Sequence, residues 1–166
     1  MRLQHGFDPV YDANSRVLVL GSFPSVLSRK NGFYYGHPSN RFLRVMAELL
    51  DAELPKSIEE KKTLLLKNHI ALWDVVQACE IEGSKDSSIR NVVPNDVSTL
   101  LAFCPIQRIY ANGATAHALY QKHLLPVTKR DIRRLPSTSS ANAAWPIERL
   151  IPAWRVILPD LNPPDA

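Results

Sequence analysis

The stretch RVLVLGSFPS, residues 16–25, contains the strongest indication of the fold. Val17 to Leu20 form a continuous apolar run that Gly21 closes, which is typical of a strand buried on both faces. Strands of this kind occur mainly in parallel sheets, where crossover helices cover both faces of the sheet. The stretch therefore predicts a central parallel strand with a ligand-binding turn directly after it, because such sheets bind ligands at the carboxyl ends of their strands.

The rest of the chain alternates between short apolar runs and helical patterns. Helices are predicted at 41–50, 57–66, 95–103 and 114–124, with a short helical stretch from Pro146; further strands are predicted at 70–76, 106–110 and 154–158. Alternation at these spacings predicts right-handed crossovers between parallel strands. We therefore expect an α/β fold, with a short, mostly parallel four-stranded sheet between helices, as a single domain over residues 1–166.

Length and composition exclude several classes of protein. The chain has 166 residues, of which 45% are hydrophobic and 22% charged, so a globular domain is expected and general disorder is not. No apolar run has the length of a membrane span, and the amino-terminal residues lack the apolar core of a secretory signal. Cys79 and Cys104 are too few for a disulfide framework; one bridge is possible, but reduced core thiols in a cytoplasmic protein are the favoured interpretation.

The positive charge of the chain is concentrated in one segment. The net charge is +4, and the segment 122–134 contains five basic residues against one acid, so it carries as large an excess as the whole chain. Most such runs are solvated loops, but Lys and Arg also neutralise nucleic-acid phosphates. The segment is followed by Ser137, Thr138 and Ser139, whose short side chains suit phosphate oxygens. Together the two segments favour a phosphate-binding surface.

The usual signatures of cofactor and metal enzymes are missing. The six glycines are scattered singly, so no glycine-rich phosphate loop is present, and the five histidines are too dispersed for a metal site. No Gly-x-Ser-x-Gly nucleophile motif occurs either. We therefore expect neither a metal nor a cofactor.

Six motifs in order resemble one family. These are GSFPS (21–25), FYYGHPSNRF (33–42), HIALWDVV (69–76), GSKDSSIRN (83–91), YANG (110–113) and LPSTSSANA (135–143). Together they resemble the hypoxanthine-DNA glycosylases of the uracil-DNA glycosylase superfamily, over most of the chain. Each motif alone is weak, but HPSNRF and LPSTSSANA in this order are specific. The resemblance implies a three-layer α/β/α sandwich, in agreement with the strands and helices predicted above.

Two departures from other members of this superfamily indicate where catalysis resides. Other members place Asp or Asn in the loop after the first strand and a His before the late Pro-Ser, whereas this chain has Phe23 and Leu135 there. Neither residue can polarise water or stabilise a departing base. In the hypoxanthine family the Asn of the HP-x-NRF loop is thought to be catalytic, which implies the same role for Asn40. The Asn40 carbonyl oxygen can orient a water molecule, although a neutral amide is a poor general base. The competing interpretation is that Asn40 only caps the helix.

Position and chemistry suggest a base-binding pocket. Tyr35 would stack on a flipped base with Phe23 as a second face, and backbone N–H groups of the Gly21–Phe23 turn would stabilise its negative charge. Asn112 can donate and accept at once, and a carboxylate at position 74 would accept from a base N–H. Asn112 is equally compatible with a simple Asn-Gly turn, and Asp74 with a loop cap. The expected pocket comprises Gly21, Ser22, Phe23, Tyr35, His37, Asp74 and Asn112, and the expected phosphate ligands are Arg130, Arg133, Arg134, Ser137, Thr138 and Ser139.

The sequence therefore predicts a monofunctional DNA glycosylase that flips and excises deaminated bases, chiefly hypoxanthine, from double-stranded DNA. No lysine lies in a motif that suggests Schiff-base chemistry, so no strand-cleaving step is expected. We expect a monomer in the cytoplasm. Two alternatives remain open: a uracil- or mismatch-specific glycosylase of the same fold, and a nucleic-acid-binding relative that has lost activity.

Overall fold

The apolar run from Val17 to Leu20 forms the central strand of the molecule. The computed structural model describes residues 2–36, 39–82 and 85–162. Strand β2 (Val17–Gly21) lies between strands β3 (Ile70–Asp74) and β6 (Arg108–Asn112), and β7 (Ile132–Leu135) adds to the free edge of β6. All three pairings are parallel, so the predicted four-stranded parallel sheet is confirmed, in the order β3-β2-β6-β7.

Both faces of this sheet are covered, which explains the uninterrupted apolar run of β2. Val17 and Val19 contribute to one core, and Leu18 and Leu20 to the other, because successive side chains of a strand point to opposite faces. One face packs against helices α2 (Phe42–Leu49), α3 (Ile58–Lys67), α7 (Ile147–Trp154) and α8 (Leu158–Leu161), and the other against α4 (Val97–Phe103) and α5 (Ala114–His123). The three-layer α/β/α arrangement is confirmed.

The prediction of a fourth strand at 154–158 was wrong. These residues end α7, form a 3-10 turn at Arg155–Ile157 and begin α8. Their buried residues, Trp154, Ile157 and Leu161, recur every three to four positions, which is helical spacing. The true fourth strand is β7, whose two central arginines are exposed because it lies at the edge of the sheet.

A second, antiparallel sheet was not predicted. The predicted strand 70–76 divides after Asp74, and β4 (Val76–Glu80) pairs with β1 (Arg2–Gln4) and β5 (Arg90–Pro94). β1 is short and polar, and β5 is mostly exposed, so neither has a clear apolar pattern. The remaining elements are short helices at α1 (Val26–Asn31) and α6 (Leu125–Thr128) and a 3-10 turn at Asp86–Ser88.

The cores contain both cysteines, and each is a free, buried thiol, as the sequence suggested. Burial raises the pKa of both thiols. In the part of the chain that the structure describes, every helix is too short or too polar to cross a lipid bilayer.

Candidate active site

The carboxyl ends of strands β2, β3 and β6 surround a cleft with a volume of about 500 Å³. Gly21, Asp74 and Asn112 are the last residues of these three strands, and all three line the cleft. The remaining wall comes from the turn after β2, from Tyr34, Tyr35 and Asn40, from Lys85, and from the loop after β7 at Ser137, Thr138, Ser139, Ser140 and Ala141. The structure therefore brings together the predicted catalytic residue and six of the seven predicted pocket residues. The seventh, His37, lies outside the described residues.

A hydrogen-bonded chain joins Asn112, Thr138 and Asn40. Asn112 Oδ1 accepts from the Thr138 backbone N–H at 3.0 Å, which orients the amide so that Nδ2 donates to Thr138 Oγ1 at 3.0 Å. The Thr138 hydroxyl in turn donates to Asn40 Oδ1 at 3.0 Å. Because Thr138 is completely buried, its hydroxyl takes part in this series of hydrogen bonds and does not reach a phosphate at the surface.

These hydrogen bonds determine which atom of the Asn40 side chain can interact with a bound nucleotide. Oδ1 accepts from the Phe42 backbone N–H at 2.9 Å as well as from Thr138. A carbonyl oxygen has two lone pairs, so Oδ1 is fully used: it accepts from the first backbone N–H of α2 and ties this helix to the loop after β7. The Asn40 Nδ2 group is therefore the part that can act on a bound nucleotide, and it acts as a donor. This differs from the expectation that the carbonyl oxygen orients water.

Arg41 holds the loop after β7 in place. Its guanidinium donates from Nε to the Thr138 carbonyl at 3.2 Å, from Nη2 to Ser139 at 2.7 Å and from Nη1 to Trp145. The Arg41 backbone N–H also donates to the Thr138 carbonyl, at 3.1 Å. Sequence analysis missed this role, because an arginine at the start of an amphipathic helix is usually solvated. The only signal was its place beside Asn40 in HPSNRF.

The turn after β2 is fixed from the neighbouring strand end. The carbonyls of Gly21 and Ser22 accept from the backbone N–H groups of Val75 and Val76, at 2.8 and 3.0 Å. Phe23 follows and is buried at 7% exposure, with the Arg29 guanidinium 5.5 Å from its ring centre. Gly21 is crowded, since a Cβ atom there would lie 2.4 Å from Asp74 Oδ1 and 3.4 Å from the Tyr35 hydroxyl.

Replacing Gly21 by alanine is expected to obstruct the floor of the cleft. The new methyl group must displace the Asp74 carboxylate, so we expect base excision to fall at least tenfold and stability by about 1–3 kcal/mol, typical of overpacking. Gly32→Ala is the matched control: it has open space but a φ of +75°, so it should cost about 1–2 kcal/mol of stability and leave the excision rate unchanged. Excision kinetics and urea unfolding measure both effects; an equally active Gly21→Ala variant would contradict this placement.

The two tyrosines of the FYYG loop have different roles. Tyr34 belongs to the core at 2% exposure, and its hydroxyl donates to the Asp8 carbonyl. Tyr35 has a positive φ of 53°, and its ring packs on Phe42 with centroids 4.4 Å apart. Burial, reinforced by the Asp74 carboxylate, raises the pKa of Tyr35 well above its usual value, and the nearby Asn112 amide offsets only part of this rise. The Tyr35 hydroxyl therefore remains a protonated donor inside the cleft.

Asp74 has a buried partner that sequence analysis missed. Its Oδ2 lies 2.8 Å from His5 Nε2, and both residues are almost completely buried. The Asp74 backbone carbonyl accepts from Asn95 Nδ2 at 2.8 Å, so the main chain is fixed separately. His5 follows β1, 69 positions from Asp74, and no local pattern connects the two.

The predicted phosphate ligands do not form one patch. Ser137 and Ser139 line the cleft and also an adjoining hollow of about 600 Å³, whose wall includes Arg134 and Trp145. Arg133 points to the opposite face of β7, beside Tyr110, whose hydroxyl donates to Asp160 at 2.6 Å. Arg130 precedes β7 and donates to the Ile106 carbonyl at 2.8 Å, at the end of the sheet away from the cleft. Of the three arginines, only Arg134 lies next to Ser137 and Ser139 in the loop after β7.

Comparison with known proteins agrees with this geometry. The sequence profile of the family described as "Uracil DNA glycosylase superfamily" matches residues 9–157. The chain belongs to the uracil DNA glycosylase superfamily. It is 38% identical over 141 residues to a Methanosarcina acetivorans protein named "Hypoxanthine DNA glycosylase", covering 84% of this chain and 89% of that protein. A Methanosarcina barkeri protein of the same name is 31% identical over 140 residues, covering 84% and 88%.

A solved structure extends the comparison to three dimensions. The solution NMR structure of a Methanosarcina acetivorans protein superposes on this uracil DNA glycosylase superfamily member with a TM-score of 0.81 and 35% identity. The match covers 97% of this chain and 99% of that one. The resemblance inferred from the sequence motifs is therefore confirmed at the level of the family and the fold.

Proposed function

We propose that this superfamily member is a monofunctional DNA glycosylase that flips hypoxanthine out of double-stranded DNA and hydrolyses its N-glycosidic bond. The relatives named "Hypoxanthine DNA glycosylase" support the substrate. The observation that carries the proposal is the chain Asn112–Thr138–Asn40, which holds an amide donor at the wall of a cleft at the carboxyl ends of the strands. Action as a cytoplasmic monomer is part of the same proposal.

The reaction needs stabilisation of a departing base more than it needs a strong base. As the bond to the sugar breaks, negative charge develops on hypoxanthine and positive charge on the sugar. Water then adds to the sugar carbon, and the proton that it loses neutralises the released hypoxanthine. A fixed amide donor stabilises the developing negative charge without reorganising, because Asn40 is already held by two hydrogen bonds. Hypoxanthine leaves more readily than adenine, so a site without an Asp or His in the usual superfamily positions is sufficient.

The test uses duplexes that each contain one hypoxanthine, uracil or xanthine. After incubation with the protein, alkali breaks the strand wherever a base has been removed. We expect breakage at hypoxanthine, and an intact strand when alkali is omitted, because a monofunctional enzyme leaves the backbone uncut. Breakage chiefly at uracil would support the uracil-specific alternative, and no breakage with any base would support a non-catalytic binding protein. Breakage without alkali would point to Lys85, which lines the cleft.

DNA binding is expected to depend on Arg134 and not on Arg133. Arg134→Gln should weaken binding to all duplexes alike and reduce the salt dependence of the affinity by about one phosphate contact. Arg133→Gln removes the same charge one residue away, on the face beside Tyr110, and is the matched control. Fluorescence anisotropy across a series of salt concentrations measures the affinity of each variant for DNA. Equal effects of the two variants would show that only the total charge is important.

A further inference from the structure

We infer that His5, Asp74 and Tyr35 form a site that recognises the hydrogen-bonding edge that deamination creates on a base. The inference rests on the proposed function and names the chemical feature that the cleft recognises. Asp74 Oδ1 is the acceptor, the Tyr35 hydroxyl is the donor, and His5 is a positioning residue that holds Asp74. Tyr35 thus meets the base with its hydroxyl and not by the stacking expected from the sequence, because its ring packs on Phe42. The edge they fit is a ring N–H beside a carbonyl, –NH–C(=O)–.

The hydrogen bonds of His5 fix the number of protons in the pair. His5 Nδ1 lies 2.8 Å from the Phe7 carbonyl, which can only accept, so Nδ1 carries a proton. His5 Nε2 lies 2.8 Å from Asp74 Oδ2, and this short contact requires a second proton between the two atoms. Asp74 Oδ2 is therefore permanently engaged, and the carboxylate cannot rotate without breaking this bond.

The surroundings of the pair are aromatic. Phe7, Phe23 and Tyr34 surround the His5 ring, with ring centroids 4.5, 6.3 and 5.6 Å away. A buried pair of polar side chains in such a place contributes little to stability, because the cost of removing both groups from water offsets their attraction. Packed apolar side chains would serve the fold as well, so the pair is better explained by what Asp74 presents to the cleft.

Asp74 and Tyr35 present complementary groups at one point of the cleft floor. Asp74 Oδ1 and the Tyr35 hydroxyl lie 2.4 and 3.4 Å from the position that a Cβ would take on Gly21. The Tyr35 hydroxyl oxygen is buried and lies near the Asn112 amide, but it donates its hydrogen to no acceptor among the described residues. An unsatisfied buried hydroxyl is costly, so this donor is placed for a ligand acceptor.

The acceptor and donor together match the product of deamination. Deamination converts the N=C(–NH2) edge of adenine or cytosine into –NH–C(=O)–, which reverses the donor and acceptor positions. In hypoxanthine, N1–H would donate to Asp74 Oδ1, and O6 would accept from the Tyr35 hydroxyl. Adenine would instead place the N1 lone pair against the carboxylate, which is repulsive. The acceptor and the donor therefore favour hypoxanthine over adenine, and uracil over cytosine.

Recognition can be measured apart from catalysis with 2′-fluoro nucleotides, whose glycosidic bond resists cleavage. Two duplexes are compared, one with 2′-fluorodeoxyinosine and one with the 2′-fluoro nucleoside of unsubstituted purine, which lacks both N1–H and O6. We expect the wild-type protein to bind the first duplex at least tenfold more tightly. Tyr35→Phe removes only a hydroxyl that donates to no acceptor among the described residues, so it should fold normally and lose most of this preference.

His5 is tested in a background that buries no charge. In Asp74→Asn, the introduced amide can donate to neutral His5 Nε2, which keeps its oxygen in the place of Oδ1, so a preference for hypoxanthine should remain. Adding His5→Leu removes the group that orients the amide, and the preference should fall at least tenfold further. A purely structural His5 would lower the melting temperature and weaken binding of both duplexes equally.

The outcomes separate this inference from the proposed function. An equal affinity of the wild-type protein for the two duplexes, or a preference that survives both Tyr35→Phe and the double variant, would overturn the inference even if hypoxanthine is excised. Loss of the preference for 2′-fluorodeoxyinosine in both Tyr35→Phe and the double variant supports the inference. Failure of the wild-type protein to excise hypoxanthine from an ordinary duplex would overturn the proposed function alone, since 2′-fluoro binding does not depend on cleavage.

Discussion

Asn40→Asp is expected to excise hypoxanthine more slowly by a factor on the order of 10²–10³, with an unchanged melting temperature. A carboxylate keeps an oxygen for both the Phe42 N–H and the Thr138 hydroxyl, so the bond to the start of α2 and the link to Thr138 survive. What is lost is the Nδ2 donor. A negative charge takes its place, beside a base that leaves as an anion.

Single-turnover rates with excess protein, together with thermal melting, test this expectation. Asn14→Asp adds the same charge in an exposed turn before β2, at the opposite end of the strand from the cleft, and should change neither quantity. If Asn40→Asp excises hypoxanthine at the wild-type rate, Asn40 acts only through its oxygen, as a cap, and the catalytic role assigned to its amide is wrong.

Arg41→Lys is expected to impair both folding and activity. A lysine can reach one carbonyl, whereas the guanidinium donates to Thr138, Ser139 and Trp145 together. Losing two such charge-assisted hydrogen bonds should cost about 3 kcal/mol of the free energy of unfolding. A displacement of the loop also moves Thr138 away from Asn40, and misplacement by about 1 Å costs on the order of 100-fold in rate.

Arg44→Lys is the matched control, since Arg44 is exposed on the same helix. Urea unfolding should show the loss only for Arg41→Lys, and single-turnover excision should fall only in that variant. Equal stability of the two variants would show that the loop keeps its conformation without the guanidinium, and that the contacts of Arg41 contribute little.

The fold could be predicted from the sequence wherever burial produces a regular pattern of apolar residues. β2 is apolar at every position because both of its faces are covered, so a central strand with parallel pairing could be predicted. β7 gave no such signal, because an edge strand buries only its two end residues and exposes Arg133 and Arg134. At Trp154–Leu158 every residue except Arg155 is apolar, and periodicity cannot distinguish a buried strand from helical turns over five residues.

The candidate site was predictable where a residue ends a strand or belongs to a motif. Asp74 and Asn112 were found from their position at strand ends, and Asn40 from the resemblance of its loop. His5 and Arg41 could not be found in this way, because each acts through contacts 69 to 104 positions away along the chain. Thr138 was assigned to phosphate because sequence does not show burial, and a hydroxyl suits either role.

The cleft is expected to remove intact hypoxanthine from DNA. Mass spectrometry of the small molecules released from a duplex with one deoxyinosine tests this directly, in a single turnover with excess protein. We predict one equivalent of free hypoxanthine and an unbroken strand with an abasic site, and a strongly reduced yield over the same interval with Asn40→Asp. Binding of the duplex without release of hypoxanthine would contradict the account.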